Sequence, residues 1–322
     1  MRRCAWLLDI RCGETVEASW CSSIHGMGDD AILKKVDRCG KDLSWWNRNI
    51  FGNVKLELER KRKMLVQAER KAVRNGLNFQ VWELKDEINI FLDREAQMWS
   101  QRSQVLWLTN GDRNTKYFHT KATQRHRKNM IGGIRDDQII WQHNPEGIES
   151  VILNYYQALL SPSTPVDQVT TLDQIPQIIT EEMNQLLTEE FMEHEVATTL
   201  KQMAPLKAPS PNEMPPLFYQ HFWPTVNQDV ISSALSWLNS GTLSHHINHT
   251  FVALIPKIKN PEYITKYHPI SLCNVLYKIF SKVLSNRLKK LLPKIITEHQ
   301  FAFAKHMRKM VFSRKFNEKD GF

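Results

Sequence analysis

A chain of 322 residues, 42% of them hydrophobic, can bury a core and has room for two ordinary domains. Its net charge of +9 and pI near 9.2 favour acidic partners, RNA or DNA ahead of an anionic membrane, with solubility alone as the competing reason for the excess. Cys4, Cys12, Cys21, Cys39 and Cys273 are odd in number and irregularly spaced, which argues against a disulfide framework or a zinc knuckle. No apolar run nears the ~18 residues of a membrane span, and Asp9 and Arg11 interrupt the signal-like Ala5-Trp6-Leu7-Leu8 too early for export. The chain therefore reads as soluble and intracellular with free thiols and no membrane partner, nucleus and cytoplasm not being distinguished.

Residues 1–50 are mixed. Trp6, Trp20, Trp45 and Trp46 recur too irregularly for a repeat, and residues 30–49 predict a short helix with Ile32, Leu33, Val36 and Leu43 on one side. Over 54–74 the stripe Leu56, Met64, Leu65, Ala68 and Ala72 lies beside the basic run Arg60-Lys61-Arg62-Lys63, and Asn75-Gly76 supplies a helix stop. A second helix follows over about 79–106, with Val81, Leu84, Ile88, Leu92, Ala96 and Trp99 at helical spacing. No a/d heptad is sustained, so the pair predicts a helical hairpin over about 54–106 rather than a long coiled coil. Asn110-Gly111-Asp112 is a turn whose Asp112 can cap a helix carrying Tyr117, Phe118 and the cations Lys121, Arg125, Arg127 and Lys128. Met130-Ile131 and Ile139-Ile140-Trp141 flank Asp136-Asp137, a small strand hairpin over about 130–141. Residues 145–160 predict a helix burying Ile148, Val151, Ile152, Tyr155, Leu159 and Leu160 on one face.

The proline-, serine- and threonine-rich segment 161–177 reads as a linker. Beyond it, Thr180 and Thr188 each precede two glutamates, the pattern of two successive helix N-termini, with the second helix ending near Met203. Pro209 and Pro211 force a loop at 207–212, and an aromatic-rich helical stretch covers 215–240. Residues 251–255 are strand-like and stop at Pro256-Lys257; a polar loop over 259–266 then leads to 267–272. In the helix that follows, Val275/Leu276, Ile279/Phe280, Val283/Leu284, Leu288 and Leu291/Leu292 recur every four residues, with Lys278, Lys282, Arg287, Lys289 and Lys290 on the remaining faces. Flexible cations so spaced suit phosphate contacts that give affinity without sequence readout. A solvated face on a packed helix is the alternative for each of them, while Lys257, Lys259 and Lys266 upstream add to the polyanion reading.

Metal chemistry draws on carboxylate clusters, because hard cations prefer their oxygens. Asp29-Asp30 follows Met27-Gly28 and Asp136-Asp137 follows Arg135; neither has an apolar strand pair to present it, and both read as surface turns. His245 and His249 would share a helix face, but no glutamate stands in the His-Glu-x-x-His sense, and the pair reads as surface. No Walker, Rossmann or Gly-x-Ser-x-Gly pattern is present. The residues alone assign no catalytic group and no metal site.

Ile255-Pro256-Lys257, Tyr267-His268-Pro269-Ile270-Ser271-Leu272, Tyr277-Lys278-Ile279-Phe280-Ser281-Lys282-Val283-Leu284 and Asn286-Arg287-Leu288 resemble the fingers of LINE-type (non-LTR) retrotransposon reverse transcriptases, the plant branch above all. Thr297-Glu298-His299-Gln300 with Ala302-Phe303 continues the likeness. Lys207-Ala208-Pro209 and Met214-Pro215-Pro216-Leu217-Phe218-Tyr219 resemble the family's Lys-Ala-Pro-Gly-Pro-Asp-Gly loop and the helix after it. Trp107-Leu108, Gly111-Asp112 and Asn114-Thr115-Lys116-Tyr117-Phe118-His119 resemble the segment joining endonuclease to polymerase, so the resemblance covers roughly 5–303.

The resemblance implies an α+β fold, mainly α: a helical connector region at 1–160, a linker at 161–177, a partial reverse-transcriptase domain (fingers) at 178–303 and a divergent basic tail at 304–322, with the palm absent. It implies nucleotide-facing roles for Lys257 and His268, and nucleic-acid contacts for Lys207, Lys278, Lys282, Arg287, Lys289 and Lys290. His268 stands where the family has an arginine and cannot make a bidentate phosphate contact. Ser210, Asn212 and Glu213 replace glycine, aspartate and glycine, and a side chain at a positive-φ position costs about 1–2 kcal/mol. The intact family copies RNA into DNA with Mg²⁺, through palm aspartates that the resemblance does not locate in this chain, so no catalytic residue and no cofactor are assigned. The expectation is a truncated reverse transcriptase derived from a non-LTR retrotransposon, catalytically inactive as this chain. The alternatives are a non-catalytic nucleic-acid-binding protein using the same basic surface, or an inert product with an exposed apolar fingers surface. RNA or DNA is the expected partner in either of the first two.

Overall fold

The computed structural model describes residues 9–22, 31–76, 79–103, 115–161, 178–206, 214–242 and 245–296. Helices dominate and two short antiparallel ribbons complete the fold, a mixed α+β class that is mainly α. Two compact units interleave along the chain: Met1–Ser161, Ala204–Val230 and Ser244–Val275 form the first, and Pro162–Met203, Ile231–Leu243 and Leu276–Phe322 the second.

In the first unit, Asp9 caps α1 (Ile10–Cys21) by accepting the Arg11 backbone N–H, and its buried carboxylate also takes Arg11 Nε at 2.9 Å and Nη2 at 2.7 Å. These bonds hold the Asp9 carboxyl below the usual range against the opposing effect of burial. Helix α2 (Ala31–Trp46) buries Ile32, Val36, Cys39, Leu43 and Trp46. Trp20 Nε1 of α1 and Lys35 Nζ of α2 both donate to Asp229 Oδ2, each at 2.7 Å. A π-helical turn (Asn47–Phe51) extends α2 and closes on Gly52.

Helix α3 (Val54–Asn75) begins at Asn53, whose side chain accepts the Lys55 N–H, and ends at Gly76, left-handed at φ +71°, with its N–H on Ala72 O at 2.8 Å. Only glycine adopts that conformation without a steric penalty, which is why the Asn75-Gly76 stop holds. Helix α4 (Phe79–Ser103) returns along α3 around Ala68, Val81 and Leu84, with Leu65 and Ala72 packed beside them. The seam differs from the expected stripe: Leu56 and Met64 are exposed, whereas Val54 and Leu58 are buried. Between Leu58 and Leu65 the seam position falls on Lys61, which pairs with Glu87 of α4 at 2.6 Å. Leu58 is masked in the sequence by its flanking Glu57 and Glu59.

Phe118 is the buried residue of α5 (Thr115–Asn129), which packs on α4; Lys121, Arg125, Arg127 and Lys128 are exposed. The small hairpin is present as β1 (Ile134–Arg135) and β2 (Trp141–Gln142), shorter than expected. Asp136 organises its turn: Oδ1 accepts the N–H groups of Gln138 and Ile140, and Oδ2 accepts Gln142 Nε2 at 2.8 Å. In α6 (Pro145–Leu160), Ile148, Val151, Ile152 and Tyr155 pack around Ile134, Ile264 and Tyr267, but Leu159 and Leu160 project into solvent, so the buried face ends a turn early. β3 (Thr250–Pro256) and β4 (Tyr267–Cys273) pair in register from Thr250↔Cys273 to Pro256↔Tyr267.

In the second unit, Thr180 caps α7 (Glu181–Thr188) as expected. Thr188 does not cap a helix; it closes α7, its hydroxyl donating to Asn184 O. The next helix, α8 (Glu193–Gln202), starts after Met192, whose N–H is taken by Glu195 Oε2 at 3.0 Å. The aromatic-rich stretch divides at Phe222 into α9 (Pro216–His221) and α10 (Trp223–Ser240), and the part of α10 beyond Val230 belongs to the second unit. There Trp237 meets Phe280 of α11 (Val275–Ile295) at 4.9 Å between ring centroids.

No helix among the described residues is long and apolar enough to cross a membrane. Cys12, Cys21, Cys39 and Cys273 carry free thiols. Asp29-Asp30, the turn at 110–112, the linker, the loop at 207–212 with Lys207, the motif residues beyond 296 and the basic tail lie outside the described residues.

Candidate nucleic-acid interface

Helix α11 carries Lys278, Lys282, Arg287, Lys289, Lys290 and Lys294 and no acidic residue. Its buried face is formed by Leu276, Ile279, Phe280, Val283 and Leu291, and by Arg287, which is only 6% exposed. Leu284 and Leu288, expected on that face, are exposed instead. The four-residue periodicity sorts apolar from charged side chains and therefore puts Arg287 outside; the structure places it inside because Glu195 of α8 and the carbonyls of Leu187, Glu189 and Glu190 at the end of α7 supply a complete set of acceptors.

Arg287 Nε and Nη2 grip Glu195 Oε1 and Oε2 at 2.9 and 2.7 Å, a fork-to-fork pair. Nη2 also donates to Glu190 O at 2.8 Å, and Nη1 to Leu187 O and Glu189 O. The guanidinium carbon sits 3.6 Å from the Phe191 ring centroid, within cation–π range. The hydrogen bond from Arg287 is the main influence holding the Glu195 carboxyl below its usual range, and the same bond raises Arg287. All three guanidinium nitrogens are thereby committed to the protein. In this geometry Arg287 positions α8 against α11.

Above this pair lies an open groove of about 710 Å³ between α8 and α11. Lys282, Asn286, Lys289 and Lys290 line it from α11, and His194, Thr198, Thr199 and Gln202 from α8. Asn286 Nδ2 reaches Thr199 Oγ1 at 3.1 Å and Gln202 Oε1 at 3.2 Å, fixing one wall. Lys289 and Lys290 are exposed, and neither has a partner among the described residues. With Arg287 balanced by Glu195, the lysines leave the groove with a positive rim suited to phosphate oxygens.

The structure thus brings Lys282, Arg287, Lys289 and Lys290 to one place. Lys278 is half-buried on α11 and does not line the groove. Lys257 and His268 belong to the first unit. Lys257 Nζ donates to Thr265 O at 3.0 Å and its backbone N–H to Lys266 O, closing the end of the ribbon. His268 is exposed on β4 opposite Ile255. Residues 245–248 form one 3₁₀ turn rather than an α-helical face, and His249 packs edge-on to Phe251. The wall residues of α8 carry no sequence signal of a groove. Glu195 had one: it sits three residues after Met192, the N3 position from which a carboxylate reaches back to a helix start.

Among the described residues no three Asp, Glu, His or Cys side chains come together to hold a metal ion. Asp136, the one pair member described with its bonds, is committed to its turn, and the bond from Gln142 leads the effects that hold its carboxyl below the usual range.

No family model matches the chain. Over 227 residues it is 25% identical to the transposon TX1 uncharacterized 149 kDa protein of Xenopus laevis. The chain is similar to a transposon protein. The match takes in 70% of this chain and 17% of the length of that relative.

Proposed function

We propose that this chain derives from the reverse transcriptase of a non-LTR retrotransposon, corresponds to its connector and fingers, and binds RNA or DNA through the α8–α11 groove without polymerising it. The observation that carries the reading is the convergence of Lys282, Lys289 and Lys290 on an open groove whose buried arginine is already balanced by Glu195. The fingers-like motifs and the similarity to a transposon protein support the origin. Lysine ammonium groups on flexible stems meet phosphates as point charges, so the contact is independent of sequence and weakens with salt.

Titration of labelled single-stranded RNA and DNA between about 50 and 200 mM salt tests this. Log K should fall linearly with log salt, and Lys289→Gln with Lys290→Gln should reduce the slope by about 2. A primed RNA template with deoxynucleotides and Mg²⁺ should show no extension. Absence of binding at low salt would sink the grip, and Mg²⁺-dependent incorporation would sink the non-polymerising part.

A further inference from the structure

The basic residues of α5 are not used by the groove. Its fifteen residues include Lys116, Lys121, Arg125, Arg127 and Lys128, with two histidines and no carboxylate. The contrast with α3 is informative. There Glu57, Glu59 and Glu69 stand among the cations, Arg60 pairs with Glu57, Lys61 with Glu87, and Glu69 takes Lys85 of α4, whereas α5 holds no carboxylate at all. Lys116, Arg125, Arg127 and Lys128 of α5 have no partner among the described residues, and Lys121 rests over the Tyr117 ring at 5.5 Å. Balancing a helix dipole asks for cations in the last turn, where His126, Arg127 and Lys128 lie, but Lys116, Lys121 and Arg125 precede it.

The burial pattern distinguishes the two halves of α5. Phe118 anchors the first half, while every residue from 123 to 128 is exposed. Successive residues turn by about 100°, so Arg125, His126, Arg127 and Lys128 point in nearly all directions around the helix. A helix lying across one phosphate strand needs cations on one side. Cations on all sides suit a channel with phosphates on both walls. The major groove of B-form DNA, about 12 Å wide, admits a helix about 10–12 Å in diameter, whereas the A-form RNA groove is too narrow. The exposed half of α5 carries no Phe, Tyr or Trp, and His126 is the one ring there on which an unpaired base could stack.

We propose that the 123–128 end of α5 is a second nucleic-acid surface, independent of the α8–α11 groove, which enters the major groove of double-stranded DNA. The test uses the full chain with a DNA duplex of about two helical turns, an RNA duplex and a single strand of the same sequence, comparing wild type with the triple variant Arg125→Gln, Arg127→Gln, Lys128→Gln. These side chains are exposed, so folding should be unaffected. The triple variant should bind duplex DNA about tenfold or more weakly, with a salt slope smaller by about 3. It should also lose protection of guanine N7, a major-groove atom, from dimethyl sulfate. Its affinity for the RNA duplex and the single strand should change by less than about twofold. Unchanged duplex-DNA affinity, an equal loss on the RNA duplex, or no N7 protection in the wild type would each overturn the proposal. Lys289→Gln with Lys290→Gln reports on the other groove, so the two readings fail separately.

Discussion

Replacing Arg287 by alanine separates a positioning residue from a ligand-binding one. The substitution removes the two-pronged pair with Glu195, three bonds to the carbonyls of Leu187, Glu189 and Glu190, and the contact with Phe191. Breaking a buried pair by deleting one partner costs about 3–5 kcal/mol. The Glu195 side chain retains 20% exposure and still accepts the Met192 N–H, so water and that bond offset part of the loss. We expect about 3 kcal/mol, at the low end of that range. Urea denaturation should record it as a fall in midpoint, and hydrogen exchange should locate it in α8 and α11, with amides of α2 and α3 keeping their protection. Arg287→Lys should recover only part, because an ammonium cannot reproduce the fork. A change under about 1 kcal/mol accompanied by a large loss of RNA affinity would refute the reasoning and return Arg287 to the phosphate-binding set.

Glu195→Gln should abolish the pH dependence that this carboxylate confers. Its folded pKa lies below the unfolded value, so its stabilisation is complete above the ordinary carboxylate range and is lost as pH falls through the lower folded value; denaturation midpoints followed from neutral pH into acid would show it. Tyr219 Oη is fully buried without a hydrogen-bond partner among the described residues, and burial pushes the phenol far upward. Tyr219→Phe should therefore be neutral or stabilise by about 1 kcal/mol in a thermal melt, and a loss of that size would reveal a missed partner. Gly76→Ala meets open space but must adopt φ +71°, so it should cost about 1–2 kcal/mol in the same assay.

Where local chemistry decides a feature, the sequence was legible. Asn75-Gly76 predicts the end of α3 because a left-handed residue there needs no tertiary partner, and Thr180 predicts the start of α7 for the same kind of reason. The helices of the mainly α class follow from apolar periodicity. What tertiary contacts decide was hidden. Lys61 belongs to the α3 seam only because α4 presents Glu87 to it, and Leu58 is buried despite the glutamates that flank it. Arg287 and Leu288 exchange their expected sides because the acceptors for a guanidinium come from residues about a hundred positions earlier. At the candidate site, the lysines were visible as charge, but the α8 wall that turns them into a groove was not.

The bonds from Trp20 and Lys35 to Asp229 bear on how the chain is made. Donor and acceptor lie 209 and 194 residues apart, and the first unit is completed only by segments from the far side of α8. A ribosome adding about 5–20 residues per second leaves the indole N–H of a nascent α1 waiting roughly 10–40 s for its carboxylate. Over that interval α1 and α2 must persist without one wall of their core, exposed to chaperones and proteases. Shortened chains ending before Asp229 would remain in that vulnerable state.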